Sequence, residues 1–334
     1  MKTTYLITGA AGHLGGTIIR ALAGRDCAVR GLILPSEKAE DTAQTVYYRG
    51  DVTEPASLEP LFEGLSGAET VVIHTAGLIS IAAEVTPQLR RVNVDGTRNV
   101  VEACLAHGVR RLVYVSSVHA IPAAPDRSVI TETDHFSRDS VEGAYAKTKA
   151  EASQLVLDAV SRGLDAVIVH PSGILGPYDD GRNHMIQLLR SYLLGKLPAG
   201  VTGGYDFVDV RDVAEGCLAA AEKGKKGECY ILSNRYCTIG GLLDYARVPA
   251  HRRRVPCVPA KLAEAFTPLI EWAGRVKKKR PLFTRYALRT LEGNGIFSHD
   301  KATMELRYHP RDLKVTVADT IAYLRAKLRK PVKS

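Results

Sequence analysis

The sequence predicts an α/β protein built on a doubly wound parallel sheet, with a smaller C-terminal substrate-binding portion. Three observations lead to this fold class. Strand-like and helical segments alternate from the start of the chain. The segments TVVIH, LVYVSS and AVIVH are apolar throughout, as strands buried on both faces are. A glycine-rich turn follows the first strand and opens the first helix.

The first half of the chain supplies strands and crossover helices in order. Strand TTYLIT leads through the glycine turn to a helix in GGTIIRALAG. Strands AVRGLIL, VYYRGDV and ETVVIHTAG follow, with a helix near residues 55–65 before the last of them. A long helix near 84–107, strand RRLVYVSS, the helix that carries Tyr145 and strand DAVIVHPSG complete the series. Helices of about ten or more residues between strands are the connections that parallel strands require.

The glycine turn carries the first functional signal. In TGAAGHLG, Gly9, Gly12 and Gly15 stand three residues apart between the first strand and the first helix. Glycine lets this backbone turn tightly and approach a pyrophosphate, which then lies on amide groups at the helix N-terminus. The G-x-x-G-x-x-G spacing is one residue longer than the commoner G-x-G-x-x-G, and its place after an N-terminal strand predicts dinucleotide binding. We expect His13 and Leu14 to lie beside the phosphates.

The pattern changes after about residue 175, where short strands, DFVDV and ECYILS, mix with helices near 183–194, 211–222, 260–275 and 314–328. No linker-like segment divides the chain. We therefore expect an NAD(P)-binding Rossmann domain over residues 1–175 and a mainly substrate-binding portion over residues 176–330, with some segments returning to the sheet.

The segment after the second strand bears on the choice of dinucleotide. NAD-binding domains of this layout usually carry an acid there for the ribose hydroxyls, whereas LILPSEK places leucine and proline there and its glutamate later. Ser36 and Lys38, with Arg49 nearby, suit a 2′-phosphate, which favours NADP(H) over NAD(H). In YYRGDV, Asp51 is a candidate acceptor for the adenine amino group, with Val52 beside it, and a turn cap is the simpler role for this aspartate.

Composition indicates a soluble globular chain. Its 334 residues, 45% of them hydrophobic and 24% charged, suffice for a full core. No apolar run approaches the roughly 18 residues of a membrane span. The N-terminal MKTTYLITGAAG enters a strand without a signal-peptide layout. The six cysteines are scattered without a C-x-x-C pair, which favours reduced thiols in the cytoplasm over disulfides or a zinc site.

The net charge of +9 is concentrated late, in HRRR, VKKKR and RAKLRKPVKS. A basic surface of this kind suits nucleic acid or an anionic membrane, and AKLAEAFTPLIEWAGRVKKKR has the apolar spacing of an interfacial helix. A helix packed on the core, with a solvated basic end, accounts for the same pattern. We expect no nucleic-acid partner and keep peripheral membrane contact near residues 260–280 as an alternative.

A tyrosine and a lysine four residues apart form the candidate catalytic pair. EGAYAKTKAE places Tyr145 and Lys149 on one helix face. The same spacing recurs at Tyr192 in YLLGK and Tyr323 in YLRAK, so spacing alone identifies no site. Ligands of parallel sheets bind at the carboxyl ends of the strands. Only the Tyr145 helix connects two such strands, and we expect the other two pairs to be ordinary surface pairs.

Eight motifs occur in order over residues 1–215: TGAAGHLG, GDV, HTAG, VNVDGTRNVVEAC, VYVSS, YAKTK, HPSGILGP and DFVDVRDVA. This ordered set resembles the extended short-chain dehydrogenase/reductase superfamily, which has the NAD(P)-dependent epimerase/dehydratase type of fold. The late segment DKATMELRYHPRDLKVTVADTIAYL resembles its C-terminal end, so the resemblance covers nearly the whole chain. Within the superfamily the chain looks closest to dihydroflavonol-reductase-like and 3β-hydroxysteroid-dehydrogenase-like members.

The resemblance implies catalytic roles by position. Tyr145 is implied as proton donor or acceptor for a carbonyl or alcohol oxygen, and Lys149 as the cation that favours its phenolate and binds the nicotinamide ribose. Ser117 is implied as the hydrogen-bond partner of the reacting oxygen, with Ser116 as the alternative. Asn93 resembles the residue that links the lysine to a water relay, although a bond to backbone would also explain it.

The same motifs imply the remaining cofactor contacts and the quaternary state. The HTAG backbone would pack against the adenosine, and HPSGILGP would line the nicotinamide. We expect contacts from Thr75, Ala76, Gly77, Pro171, Gly173 and Ile174. The resemblance also implies a homodimer through the helices near 84–107 and 141–162.

The chain departs from the dehydratases of this type after the fifth strand. Sugar-nucleotide dehydratases that resemble it carry Thr-Asp-Glu there, whereas this chain has Ser117, Val118 and His119, so we do not expect water elimination. Val118 and Ile121, and Ile79 after HTAG, indicate either an apolar pocket wall or core. These observations favour a mainly apolar small-molecule substrate.

Three histidines, His74, His119 and His170, fall near the carboxyl ends of parallel strands. They belong to different strands and lack a local ligand pattern, so we expect no metal site. His119, together with His184 in the later region, is a candidate substrate contact.

The leading interpretation is an NAD(P)-dependent oxidoreductase that interconverts a carbonyl and a secondary alcohol. A nucleotide-sugar epimerase with the same Ser-Tyr-Lys set is the first alternative, for which YDDGRNH supplies Arg182, Asn183 and His184, with Arg211 later, to a diphosphate. A non-catalytic cofactor-sensing protein is the second, and it has no need of the three catalytic side chains.

Overall fold

The computed structural model describes residues 2–80, 84–124, 128–179, 183–265 and 285–329. Its strands are β1 (Thr3–Thr8), β2 (Cys27–Ile33), β3 (Thr45–Arg49), β4 (Thr70–His74), β5 (Arg111–Val115), β6 (Ala166–Pro171), β7 (Gly173–Leu175), β8 (Gly200–Val201), β9 (Gly204–Asp209), β10 (Cys229–Leu232), β11 (Arg235–Thr238) and β12 (Cys257–Val258).

Seven of these strands form the central sheet, in the order β10-β6-β5-β4-β1-β2-β3. Every neighbouring pair is parallel. The chain moves outward from β1 to β3, then returns to the other side of β1 with β4. The strand order therefore reverses between β1 and β4, and in open parallel sheets ligands bind at the carboxyl ends of the strands beside such a reversal.

Helices provide the crossovers and cover the sheet: α1 (His13–Leu22), α2 (Glu59–Phe62), α3 (Pro87–Arg90), α4 (Gly96–Ala106), α5 (Ala144–Ser161), α6 (His184–Leu193), α7 (Val210–Lys223), α8 (Ile239–Ala250), α9 (Arg285–Glu292), α10 (Asp300–Leu306) and α11 (Leu313–Arg329). A π-helical turn, Arg91–Asp95, joins α3 to α4. Such turns are uncommon and are frequent at functional sites. Here the turn contains Asn93.

The core has two layers because side chains alternate between the faces of the sheet. Leu6 and Leu112 belong to the layer under α4 and α5, whereas Ile7 and Val113 belong to the layer under α1 and α7. Each of these four side chains is fully buried. Burying one such side chain contributes roughly 1.5–3 kcal/mol to the stability of the fold. The two layers therefore fix the positions of the strands whose ends form the candidate site.

The later part of the chain adds two small sheets. Strand β9 pairs with β7 in parallel and with β11 in antiparallel orientation, and β8 pairs with β12. Strand β10 returns to the edge of the central sheet beside β6. Strand β7 begins two residues after β6 ends, so the segment Pro171–Ile174 runs from the end of β6 into β7. Strand β9 lies beside this segment through its pairing with β7.

The predicted fold class is confirmed, and several element boundaries are corrected. The helix expected near 55–65 is a 3₁₀ turn, Pro55–Ser57, followed by the single turn α2. The helix expected near 84–107 begins at Pro87 and is interrupted by the π turn. Residues 260–265 are helical, and the rest of the helix expected over 260–275 lies outside the described residues. No helix in the described ranges is long and apolar enough to cross a membrane.

The expectation that Tyr192 and Lys196 form a surface pair is wrong. Helix α6 ends at Leu193, and Gly195 adopts a left-handed φ of 70°, so the lysine does not share a helix face with the tyrosine. Tyr192 is 2% exposed, and its hydroxyl donates to the Arg253 carbonyl at 2.9 Å. Tyr192 is therefore a core residue with a satisfied hydroxyl, remote in sequence from the strand ends discussed below.

Candidate active site

The glycine turn between β1 and α1 is built so that side chains cannot fit. Gly9 has φ +67°, and a Cβ there would lie 3.0 Å from the backbone of Ala76. A Cβ on Gly15 would lie 2.3 Å from the carbonyl oxygen of Gly9. The Gly12 amide donates to that same carbonyl at 2.9 Å, which closes the turn. The three glycines identified in the sequence therefore form one tight turn.

The first turn of α1 is open to an anion. Gly12 is the N-cap and provides no side-chain cap, and the first turn contains no acidic residue. The first amides of a helix have no partner within the helix, and the helix dipole favours negative charge at this end. The glycine turn and the start of α1 together fit the pyrophosphate of a dinucleotide.

His13 links the turn to the later part of the chain. Its Nε2 lies 2.8 Å from the carbonyl of Pro177 and donates to it, and its Nδ1 lies 3.7 Å from a carboxylate oxygen of Asp179. Burial lowers the pKa of the imidazole. His13 therefore fixes the segment after β7 against the start of α1, in addition to lying next to the expected phosphates.

The end of β2 holds the groups expected at the adenosine ribose. Ser36 and Lys38 are exposed there. The carboxylate of Glu37 accepts from the Leu34 amide at 3.1 Å, which turns this late glutamate back toward the strand end. Arg49 donates to the carbonyls of Pro35 and Glu37 at 3.3 and 3.2 Å and so supports the loop.

The two residues expected at the adenine follow β3. A carboxylate oxygen of Asp51 accepts from the Thr53 amide at 2.9 Å, so this side chain caps a turn. Val52 is buried, and its carbonyl accepts from the Asn99 side chain at 2.9 Å. The contacts thus include the cap role that the sequence left open for Asp51.

The end of β4 is fixed by a buried histidine. His74 lies 2.7 Å from the Thr8 hydroxyl through Nδ1 and 3.1 Å from the Thr97 hydroxyl through Nε2. Burial lowers the pKa of His74 to about 3, so the ring is neutral at physiological pH. The Thr8 side chain also accepts from the Ala76 amide at 3.2 Å. These bonds hold HTAG, with Thr75 bonded to the Thr8 carbonyl at 2.6 Å, against β1.

Lys149 is buried at the carboxyl end of β5. It is 4% exposed, and Nζ donates to the Val115 carbonyl at 2.8 Å and to the Tyr114 hydroxyl at 3.3 Å. A Cβ on Gly77 would lie 3.6 Å from the same nitrogen, so HTAG passes directly over the ammonium. Burial lowers the pKa of Lys149 to about 7. The lysine thus faces the point where β1, β4 and β5 end.

The structure distinguishes the two serines after β5. Ser116 bonds to the hydroxyl of Ser153 on α5 at 2.7 Å, and both are buried, so Ser116 serves to pack the helix on the sheet. Ser117 begins the 3₁₀ turn Val118–Ala120, and its Oγ accepts from the His119 amide at 3.3 Å. No acceptor for its hydroxyl hydrogen lies among the residues that the structure describes. Of the two, Ser117 fits the role of a hydrogen-bond donor to a substrate oxygen.

Tyr145 lies beside an aromatic group that includes a histidine. The ring of His119 meets the Tyr145 ring edge-on, with centroids 6.1 Å apart, and stacks on Tyr205 at 5.4 Å. The Tyr205 hydroxyl lies 3.3 Å from His119 Nε2. Burial lowers the pKa of His119 to about 4, so it acts as a neutral ring at physiological pH. Tyr145 itself is half-buried, between this group and the start of α5.

Asn93 bonds to backbone. Its Oδ1 accepts from the Leu78 amide at 2.7 Å, and its Nδ2 donates to the Leu78 carbonyl at 2.9 Å and to the Thr148 hydroxyl at 3.1 Å. Thr148 directly precedes Lys149. Asn93 therefore clamps the segment after HTAG to α5, which is the simpler of the two roles that the sequence left open.

The segment expected at the nicotinamide rests on a buried carboxyl group. Ser172, next to Pro171, donates to Asp206 at 2.5 Å, and the same oxygen accepts from the Asn234 amide at 3.0 Å. Burial raises the pKa of Asp206 to about 6. Asn183 donates to the carbonyl of Ile174 at 2.8 Å. Residues 171–174 are thus fixed from β9 and from the start of α6.

Substrate-facing candidates separate into exposed and buried groups. Ile79 is 75% exposed. Val118 and Ile121 belong to the core layer under α5, so these two side chains are part of the core and not of a pocket wall. His184 is the first residue of α6, whereas His170 donates from Nδ1 to the Ser117 carbonyl at 2.9 Å and so supports the active-site turn.

The cations expected for a diphosphate are engaged elsewhere or lie outside the described residues. Arg211 forms ion pairs with Asp209 at 2.7 Å and with Asp319 at 2.8 Å. Asn183 caps α6 in addition to its bond to Ile174. Arg182 is not among the described residues. In the described part of the chain, this set offers no uncompensated positive charge.

Sequence reasoning missed Tyr114, Thr97, Asp206 and Tyr205. Each acts on a site residue from another part of the chain, and the sequence signals are the placement of Tyr114 in VYVSS, of Thr97 in VNVDGTRNVVEAC and of Asp206 in DFVDVRDVA. The residues present fit a nicotinamide dinucleotide: a glycine turn that a Cβ would fill, an uncapped helix start and a buried lysine at the strand ends. Such a cofactor supplies the hydride, and the protein supplies position and electrostatics.

Comparisons with known proteins identify the family. A family model described as "NAD dependent epimerase/dehydratase family" matches residues 5–233. The chain is 31% identical to "Sterol demethylase protein B" from Methylococcus capsulatus, over 96% of this chain and 98% of that protein. It is 30% identical to "4-hydroxy-2-methyl-3-oxo-4-farnesyl-3,4-dihydroquinoline-1-oxide ketoreductase" from Stigmatella aurantiaca, over 91% of each chain.

Solved structures share the fold. The crystal structure of gox2253 superposes with a TM-score of 0.81 at 32% identity and covers 99% of this chain and 100% of that one. The UDP-glucose 4-epimerase of Thermotoga maritima has a TM-score of 0.76 at 19% identity, over 98% of this chain and 100% of that one. At that identity the second likeness concerns the fold alone.

We predict that Gly15→Ala raises the Kd for NADPH and NADH about tenfold or more, or about 1.4 kcal/mol. The added Cβ lies 2.3 Å from the Gly9 carbonyl oxygen and must open the turn. Fluorescence titration of the reduced cofactor measures the effect. Gly16→Ala is the matched control, because its Cβ meets the flexible Arg20 guanidinium at 3.2 Å. Equal affinity in the two variants would contradict a phosphate site at this turn.

Proposed function

Because the chain belongs to the NAD dependent epimerase/dehydratase family and is an NAD(P)-dependent oxidoreductase, we propose that it interconverts a carbonyl and a secondary alcohol by hydride transfer. The substrate would be a medium-sized, mainly apolar molecule of flavonoid, steroid or ketone type. Ser117, Tyr145 and Lys149 would form the catalytic group. The family membership confirms the resemblance drawn from the ordered motifs.

The observation that carries this proposal is the buried Lys149 at the end of β5. Its Nζ lies under Gly77 and one helical turn from Tyr145, on the face of α5 that meets the strand ends. A lysine is rarely buried unless its ammonium has a structural or functional role, because removing an ammonium from water is costly. An ammonium at this point favours the ionised form of a neighbouring phenol.

The chemistry follows from these positions. In the reducing direction a nicotinamide cofactor held at the glycine turn and Lys149 would supply the hydride for the carbonyl carbon. Tyr145 delivers its phenolic proton to the oxygen, on which negative charge develops, and Ser117 donates a hydrogen bond to the same oxygen. Lys149 stabilises the phenolate that remains. In the oxidising direction the phenolate removes the alcohol proton, and the other roles are unchanged.

The apolar character of the substrate is inferred from the surroundings of the site. Ile79 and Leu78 follow HTAG with exposed side chains, at 75% and 38%. His119 and Tyr205 present a stacked aromatic surface beside Tyr145. The two curated relatives described above carry names that refer to a sterol and to a farnesylated dihydroquinoline. The chain beyond residue 176 would supply most of the substrate-binding portion.

The geometry disfavours the epimerase alternative. A nucleotide-sugar diphosphate requires cationic groups near the substrate. Arg211 is neutralised by Asp209 and Asp319. A cofactor-sensing protein without activity would not require a buried lysine beside an aligned tyrosine and serine. Both alternatives remain outcomes of the experiment below.

We also infer a cytoplasmic homodimer that pairs through α4 and α5. Within one chain, Glu102 of α4 and Arg162, the residue that follows α5, form an ion pair at 2.6 Å that joins the two helices. Cys27, Cys104, Cys217, Cys229 and Cys237 are buried thiols, in keeping with a reducing compartment.

We predict that Tyr145→Phe lowers kcat about 10²–10⁴-fold, because it removes the proton donor, and leaves the Kd for the cofactor unchanged. The substrate is first found by screening ketones, aldehydes, steroids and nucleotide sugars with NADPH and NADH at 340 nm. Tyr192→Phe is the matched control, since it removes a phenol hydroxyl from the same Tyr-x₃-Lys spacing away from the strand ends. Full turnover in Tyr145→Phe would contradict the proposed function. Tightly retained cofactor with sugar-nucleotide isomerisation and no net absorbance change would establish the epimerase instead.

We propose NADP(H) as the preferred cofactor, supported by the exposed Ser36 and Lys38 at the end of β2. The opposing group is Glu37, whose carboxylate is held at the strand end by the Leu34 amide. A carboxylate there favours free ribose hydroxyls and disfavours a 2′-phosphate. Lys38 therefore favours NADP(H), whereas the neighbouring Glu37 favours NAD(H).

We predict that Lys38→Met weakens NADPH binding about tenfold and leaves NADH binding unchanged, since a charge-assisted bond to phosphate contributes about 1.4 kcal/mol or more. Glu37→Gln should strengthen NADPH binding. Isothermal titration of both variants with both cofactors measures these changes. Tighter binding of NADH than of NADPH by the unmodified chain, lost in Glu37→Gln, would reverse the assignment.

A further inference from the structure

The phenol of Tyr114 lies beneath the lysine of the site. We propose that Tyr114 is a positioning residue that holds the Lys149 ammonium in place through its hydroxyl. The inference rests on the proposed function for its consequence, because Lys149 acts on Tyr145 there, but the contact itself is independent of any substrate.

The contact has two components. Lys149 Nζ lies 3.3 Å from the Tyr114 hydroxyl oxygen and 4.8 Å from the centroid of its ring. The ammonium thus contacts the hydroxyl oxygen and also lies near the face of the same aromatic ring. Tyr114 is 0% exposed and lies on β5, directly before Val115, whose carbonyl accepts from the same nitrogen at 2.8 Å. Two consecutive residues of one strand therefore hold two of the three ammonium hydrogens.

This arrangement stabilises the charged form of a lysine that burial destabilises. Burial lowers the pKa of Lys149 to about 7. An acceptor bonded to the ammonium favours the charged form. The other titratable groups around Nζ are Tyr145 on its own helix, His74 at the end of β4 and His170 at the end of β6. Both histidines are kept neutral by burial, so the Tyr114 oxygen and the Val115 carbonyl are the acceptors that sustain the charge.

A different result is expected if Tyr114 acts only by packing in the core. Tyr114 belongs to the core layer under α5, and a phenylalanine would fill the same volume. If the ring alone mattered, Tyr114→Phe would leave the lysine unaffected. If the hydroxyl holds the ammonium, the variant keeps its packing and loses one of the two acceptors.

The test measures the titration of Lys149 itself. The full chain, free of cofactor, is labelled with ¹³C and ¹⁵N in lysine, and the Lys149 resonance is assigned by its absence in Lys149→Met. We expect Tyr114→Phe to lower the pKa of Lys149 by about one unit, the worth of one hydrogen bond to a charged group. Tyr192→Phe, which removes a buried hydroxyl bonded to a distant carbonyl, should leave that pKa unchanged.

An unchanged pKa in Tyr114→Phe, in a chain that melts as the unmodified one does, would overturn the inference. Altered titration in a protein that reduces no carbonyl substrate would leave the inference standing and refute the proposed function.

Discussion

The ammonium of Lys149 can be buried only because the end of β5 supplies acceptors for it. A charge removed from water is stable in a protein only when hydrogen bonds replace its hydration. Val115 and Tyr114 provide them on one side, at 2.8 and 3.3 Å. This constraint fixes how α5 lies across the strand ends, and therefore where Tyr145, one turn earlier, stands. HTAG must pass close above, and Gly77 leaves room for it. The glycine turn after β1 lies against the same segment, so the proposed phosphate site and the proposed catalytic pair are held in one arrangement.

The parts of the site that depend on local sequence were predictable. A tight turn requires glycine at particular positions, so Gly9, Gly12 and Gly15 could be recognised without coordinates. The alternation of apolar strands and helices predicted the parallel sheet, and the position of the Tyr145 helix between two of its strands then distinguished Tyr145 among three equally spaced pairs. The boundaries of helices were less predictable, because the π turn at Arg91–Asp95 and the short α2 depend on packing more than on periodicity.

The parts that depend on distant contacts were not predictable. Nothing near Ser172 in the sequence indicates that Asp206 accepts its hydroxyl, and nothing near Arg211 indicates that Asp319 completes its neutralisation. Tyr192 was expected at the surface because the Tyr-x₃-Lys spacing does not show which face of α6 packs on the core, and the structure buries it. Charge illustrates the same limit. The chain carries a net charge of +9, yet Arg211, the described arginine that would suit a diphosphate, is engaged in ion pairs. Net charge therefore says little about a site until each cation has its partner assigned.

Under the proposed function, a phenol, an ammonium and a hydroxyl converge on one pyridine ring. A crystal structure of the chain with NADP⁺ tests it most directly. We expect Lys149 Nζ within hydrogen-bonding distance, about 3 Å, of a nicotinamide ribose hydroxyl, with the Tyr145 hydroxyl and Ser117 Oγ facing the space in front of the nicotinamide C4 atom. A nicotinamide ring bound away from α5, with the Tyr145 hydroxyl directed to bulk solvent, would contradict the account.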